Sequence, residues 1–499
     1  MALGAETYFE DHKQSRDLGR QALRGGFVSI ALQYGNGILQ IAAAIILARL
    51  LAPEDFGLVA IISVLTSFAP ALIDFGLGDA TAQRGRITPG QISSLFWLST
   101  GIGLTITIVV AASGPLIATI YGDPRLAPIA LCTSISFAVW GASNQHIALL
   151  RRTMQFGTIA RIQFSSSLAG FVVSVLLALG GFDYWALVFR PIASALWLAL
   201  GAWLCCSWRP GVPVFDAEVR SLVRFGLHVV GFSVAYTLAR AVDRIGLGLF
   251  HRPDLVGYYQ NATALYENSL YSVLPQMHTV GSASLSKLQS DPIALRQKFE
   301  AALSSLAFFF MPAAAILSVT AEDVTVLLLG EKWQLAGSLL SIIALRGISQ
   351  VIEGSQGWLH LSIGTADRWQ KWGLVSLGVQ LLAVLGGLPF GAKGVAAATV
   401  IAGLLIAVPA IEYAGRPIGI GSALVMRSVG RQLIGAIVIA AAGWLLQITV
   451  LTGYPSLVRI LLSGVFCACL YLALVVGLFR LVEPVRLVRS VAQDLLSRR

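Results

Sequence analysis

The chain reads as an all-α polytopic membrane protein: fourteen transmembrane helices, twelve of them in two pseudo-symmetric six-helix lobes around a central cavity and two more appended at the C-terminus. Three observations predict this. Of 499 residues, 56% are hydrophobic and only 12% charged, with a mean hydropathy of +0.77, a balance that water-facing surfaces do not have. Uncharged runs at 25–48, 372–392 and 432–458 exceed the ~20 residues needed to cross a bilayer. A phrase also recurs at an offset of 200: "LARLLAPEDFGLVAI" from Leu47 and "GLFHRPDLVGYYQNA" from Gly248 align Pro53 with Pro253 and Gly57 with Gly257.

The first 26 residues carry eight charges of both signs, and the apolar run behind them lacks a small-residue cleavage site, so 1–26 is read as a cytoplasmic arm. Apolar runs punctuated by turns and charges then give spans at 27–50, 57–81, 92–120, 126–149, 158–181 and 184–207, the first lobe. A charged stretch, 208–224, links it to the second lobe, 225–414, with spans 225–250, 257–284, 299–321, 336–362, 371–390 and 394–414. Spans 432–452 and 457–480 follow, and 481–499 is read as a cytoplasmic tail with an interfacial amphipathic character. Six spans separate the two copies of the repeated phrase. Both copies therefore point the same way, as in a parallel repeat about an axis along the membrane normal.

Lysine and arginine set the orientation. With the N-terminus in the cytoplasm, 24 of 35 basic residues fall in the tails and even-numbered turns, and only Arg125, Arg252, Lys332 and Lys393 in the opposite turns. Both termini are thus expected in the cytoplasm. The net charge of +10 has the same origin, which removes nucleic acid as a partner. The five cysteines and six histidines show no ligand spacing, so no metal or other cofactor is expected. No loop exceeds about seventeen residues, which leaves no room for an extramembrane catalytic domain and argues against an enzyme.

Four phrases in order, "LARLLAPEDFG", "LIDFGLGDATAQR", "LSKLQSDP" and "LLLGEKW", resemble the polysaccharide transporter branch of the multidrug/oligosaccharidyl-lipid/polysaccharide exporter superfamily, the Wzx-type flippases. The similarity runs over most of 25–480. The resemblance implies a fourteen-helix, two-lobed flippase of the bacterial inner membrane. Its implied cargo is an undecaprenyl-diphosphate-linked oligosaccharide, turned from the cytoplasmic to the periplasmic leaflet for exopolysaccharide, capsule or O-antigen synthesis. A polysaccharide polymerase and a chain-length regulator are the partners such a pathway would add. The alternative is a cation-coupled exporter of small amphiphilic molecules, as in the drug-exporting branch.

Ionisable side chains inside spans cost at least ~2.5–3.5 kcal/mol on insertion scales, so each needs a partner, a cavity or a function. Four arginines lie there, Arg190, Arg240, Arg244 and Arg346, with four acids, Asp74, Asp243, Glu267 and Glu353. Equal numbers allow structural ion pairs. Arg240 and Arg244 are one helical turn apart with Asp243 between them, and two guanidinium forks on one face suit the oxygens of a diphosphate. Arg346, Glu353 and His360 repeat every seven residues as one polar stripe. Gln33, Asn36 and Gln40 make another on the first span and, with Tyr236, Asn261, Tyr266, Asn268 and Tyr271, would line a wet, aromatic cavity suited to sugars. Arg240, Arg244, Arg346, Arg190, Gln33, Asn36, Gln40 and Tyr236 are accordingly the expected substrate contacts. Glu267, Glu353, Asp243 and Asp74 are the expected coupling or ion-pair groups.

Overall fold

The computed structural model describes residues 17–74, 87–214, 241–271 and 291–481, with the single positions 78, 81, 237, 281, 285, 286, 288 and 289. Its regular structure is helical, and the chain packs as two compact units, Met1–Gly257 and Tyr258–Arg499.

In the first unit, α1 (Asp17–Leu50) is followed by α2 (Pro53–Leu65) and α3 (Ala69–Asp74). The break between α2 and α3 falls at Thr66–Phe68, where the Thr66 hydroxyl donates to the Ile62 carbonyl. Then come α4 (Pro89–Tyr121), α5 (Leu126–Arg152), α6 (Phe156–Leu179), α7 (Trp185–Cys205) and, after the undescribed stretch, α8 (Val242–Phe250). The first turn of α9 (Pro253–Ser269) closes the unit. Antiparallel neighbours α4 and α5 are pinned by the Thr107 hydroxyl donating to the Ser134 carbonyl at 2.8 Å, and α6 to α7 by Ser166 donating to the Ser194 carbonyl at 3.0 Å. Small hydroxyl residues at such contacts let helices approach closely where lipid gives no hydrophobic drive.

The second unit is built on α10 (Pro292–Leu329), which starts seven residues before the expected span. Asp291 caps it, its carboxylate accepting from the amides of Ile293 and Ala294, and Pro292 occupies the first helical position. Phe299, Leu303, Ala307, Met311 and Ala314 on α10 are fully buried. They pack with α12 (Arg346–Ile363), α14 (Gly391–Gly415), α15 (Ser422–Thr449) and α16 (Ser456–Leu472). The remaining helices are α11 (Gln334–Ala344), which meets α12 at a 43° bend, and α13 (Ala366–Gly387). At the end of α10, Asp323 pairs with Arg459 of α16 at 3.3 Å, and Arg459 also donates to Gln447 of α15 at 2.6 Å. That network fastens the last two helices to the rest of the unit.

Ten helical stretches are long and apolar enough to cross a bilayer. One of them, Asp367–Ile418, is the packed pair α13 and α14, and α11 with α12 forms one bent span, so twelve expected spans have a described counterpart. The seventh and eighth extend into residues outside the described set. Leu382, Leu405 and Ile448, each about 70% exposed, show where lipid belongs, because water would not tolerate so many bare apolar side chains. The chain is a multi-pass membrane protein.

Candidate functional site

The repeated phrase marks two helix starts. Pro53 and Pro253 are the first residues of α2 and α9, followed in the first turn by Glu54 and Asp55 in the one and by Asp254 in the other, where the helix dipole favours acids. At α2 the Asp55 carboxylate accepts from the Ala52 amide at 2.8 Å. The two starts cross, all within the first unit. A Cβ built on Gly57 would lie 1.7 Å from the Pro253 carbonyl oxygen, and one on Gly257 would lie 2.0 Å from the Pro53 carbonyl oxygen. Only glycine fits on either side. Beside the crossing, Arg125 binds Asp123 at 2.7 Å and Glu54 at 2.5 Å. The Arg125 hydrogen bond holds the Asp123 carboxyl below its ordinary range. This pairing therefore stabilises the fold at neutral pH and is lost only as pH falls through the lowered value.

Elsewhere in the first unit, Arg190 of α7 is half-buried and donates to Gln40 Oε1 of α1. No carboxylate pairs with it among the described residues. Asn36, one turn before Gln40, has a buried amide oxygen without a hydrogen bond among the described residues, and Gln33 is exposed. The polar stripe of α1 therefore runs up to a guanidinium whose charge, among the described residues, is met by a neutral amide alone.

The other expected residues fall into three groups. Asp243 and Arg244 sit side by side at the start of α8, the guanidinium 3.5 Å from the carboxylate. Arg240 and Tyr236, expected beside them, lie outside the described residues, so the Arg240/Arg244 fork is untested. Asp74, at the end of α3, meets an amide instead of an arginine: Asn144 Nδ2 of α5 donates to it at 3.3 Å.

In the second unit, the Tyr266 hydroxyl of α9 donates to Gln350 of α12, and Glu267 lies next along α9. Arg346, Glu353 and His360 do share α12, but the stripe ends in packing. His360 is buried, stacks on Trp369 with the rings 10° apart, and has Nδ1 2.9 Å from the Thr365 hydroxyl. Glu353 is turned against α14: a Cβ on Gly403 would lie 3.1 Å from its Oε1, and that oxygen is buried with no hydrogen bond among the described residues. Arg346 stands two turns earlier on the same helix. Asn144, Gln350 and the Asp323–Arg459 pair escaped the sequence reading. Asn144 and Gln350 are neutral and looked unremarkable, whereas Arg459, a charge just inside the last span, was a visible signal.

Residues 46–337 match a family model described as polysaccharide biosynthesis protein, more than half of the chain. The chain belongs to this family. Among its relatives, the lipopolysaccharide biosynthesis protein WzxC of Escherichia coli is 26% identical over 375 residues, covering 74% of this chain and 75% of WzxC. The succinoglycan biosynthesis transport protein ExoT of Rhizobium meliloti is 24% identical over 317 residues, 64% of each chain. Among solved structures, the lipid II flippase MurJ in an inward closed conformation aligns with a TM-score of 0.68 at 16% identity, over 91% of this chain and 99% of MurJ. An inward-facing multidrug resistance MATE family transporter of the MOP superfamily aligns at 0.57 and 15%, over 80% and 98%. At such identities the likeness is one of fold. For the family member described here, it accounts for the all-helical, multi-pass architecture.

Proposed function

We propose that the chain turns an undecaprenyl-diphosphate-linked oligosaccharide from the cytoplasmic to the periplasmic leaflet of the bacterial inner membrane, making and breaking no covalent bond. The family, the polysaccharide pathways named for its relatives, and the MurJ-like fold support the reading. The observation that carries it is Arg190, a half-buried cation in the second turn of the apolar helix α7 whose charge, among the described residues, meets only the neutral Gln40. Such a group favours an anionic guest. In this reading 27–207 and 225–414 act as the two lobes of an alternating-access device, and Glu353 is the coupling group. A buried carboxylate oxygen without a donor is costly, and a proton or a sodium ion on Glu353 removes the cost.

The test is flipping in proteoliposomes loaded with an undecaprenyl-diphosphate-linked sugar, driven by a proton or a sodium gradient. Wild type is expected to flip with one of the two gradients. Glu353→Gln, isosteric but unable to carry a charge or exchange a proton, is expected to lose gradient-driven flipping and to keep substrate binding. Flipping by neither gradient, together with movement of small cationic dyes, would replace this reading with a drug exporter.

Both termini are placed in the cytoplasm on the same reading, with a polymerase and a chain-length regulator as pathway partners. A reporter active only in the cytoplasm should give signal when fused after Ser207 or Arg368 and none after Asp123 or Lys393. Signal after both Ser207 and Asp123 would break the assignment.

A further inference from the structure

Within the first unit, α3, α5 and α7 line an open cavity of about 270 Å³. Its walls follow from helical spacing: Trp140, Ser143, Asn144 and Ile147 stand at i, i+3, i+4 and i+7 on α5, and Ile73 and Asp74 are adjacent on α3. One side is apolar, formed by Trp140, Ile147 and Ile73, with Leu198 of α7 behind them. The other side is a polar edge, formed by Asp74, Asn144 and Ser143. Among the described residues, the Asp74 carboxylate has a single hydrogen bond, the 3.3 Å contact from Asn144 Nδ2. Gly78, one turn on, leaves room for this pair, since a Cβ there would lie 2.7 Å from Asp74 Oδ1.

We infer that this cavity is a sugar subsite, which takes one pyranose ring of the lipid-linked oligosaccharide; the inference rests on the function proposed above. A hydrocarbon tail would fill the apolar side but strip water from Asp74 and offer no donor in return. A lone small cation would satisfy Asp74 and leave most of the volume empty, since 270 Å³ is the room of about nine waters at ~30 Å³ each. A pyranose matches both sides. Its C–H face lies on an indole, and its hydroxyls donate to a carboxylate and exchange hydrogen bonds with an amide and a hydroxyl. Among the described residues no lysine or arginine lines the cavity, and the diphosphate is assigned to Arg190 instead.

The test measures binding of three probes to the full-length protein in detergent: undecaprenyl diphosphate, the same lipid carrying a hexose or an N-acetylhexosamine, and a panel of methyl pyranosides. Wild type is expected to bind at least one sugar-bearing lipid more tightly than the bare lipid. Asp74→Asn, which is isosteric, and Asn144→Leu should each erase that preference, a loss of roughly ten- to a hundredfold, and leave the bare lipid bound within about twofold. Thermal midpoints of the variants close to wild type would exclude misfolding as the cause. A cavity for hydrocarbon would show the reverse pattern, with Trp140→Ala weakening the bare lipid and Asp74→Asn leaving sugar preference intact; that result overturns the subsite. If wild type binds neither lipid, the flippase reading fails. The subsite then stands only if a methyl pyranoside binds wild type and not Asp74→Asn, and it falls if none binds.

Discussion

Adding one methyl group at Gly57 is expected to prise the start of α2 away from the start of α9 and to abolish polysaccharide export. The new carbon would sit 1.7 Å from the Pro253 carbonyl oxygen, about half an ordinary contact distance, and the obstacle is backbone that no rotamer change can move. Overpacking of this kind costs about 3 kcal/mol or more, a large part of a typical folding free energy. Gly257→Ala, facing the Pro53 carbonyl at 2.0 Å, should behave alike. Gly101 and Gly373 supply the control, because nothing lies within 4 Å of a Cβ at either, and alanine there should be neutral or stabilise the helix by up to about 1 kcal/mol. Thermal midpoints of the purified variants and their abundance in membranes would decide. Equal midpoints for Gly57→Ala and Gly101→Ala would mean that the two helix starts do not meet as described.

The second large effect concerns Arg190. Arg190→Ala is expected to reach the membrane and yet fail to restore surface polysaccharide in a deletion strain. It should bind undecaprenyl diphosphate roughly ten- to a hundredfold more weakly, the equivalent of one charge-assisted hydrogen bond. Arg190→Lys keeps the charge and loses the fork, so an intermediate defect is expected. Arg190→Gln separates charge from architecture: it retains a donor for Gln40 and lacks the cation. If Arg190→Gln binds the diphosphate as wild type does, the anion site belongs elsewhere, at Arg346, Arg244 or Arg240.

The spans were legible because apolar composition over ~20 residues is a local property. Their ends were less so. α10 begins at Pro292, not 299, and α15 at Ser422, not 432, because both extend through charged turns outside the apolar run: Arg296 and Lys298 in one, Arg427 and Arg431 in the other. The bend between α11 and α12 falls at Leu345, where no proline interrupts the apolar run and the nearest glycine, Gly347, is one of many in these spans. Candidate site residues stood out for the same reason as the spans, since a charge in an apolar run is conspicuous. Their partners were hidden. Arg190 meets Gln40 across 150 positions and Asp74 meets Asn144 across 70, and nothing local in the sequence specifies such pairings.

The crossing of α2 and α9 has the reciprocity of an isologous interface: residue 57 meets 253, and residue 257 meets 53. Around the crossing the two segments differ, Glu54 being held by Arg125 in the one and Asp254 lying 3.5 Å from Arg252 in the other. At the two glycines no such freedom exists, because a side chain at either position strikes the backbone of the facing helix. A substitution there cannot be rescued by changing any side chain opposite it, since the obstacle is a carbonyl that every residue carries, so the two positions stand or fall together.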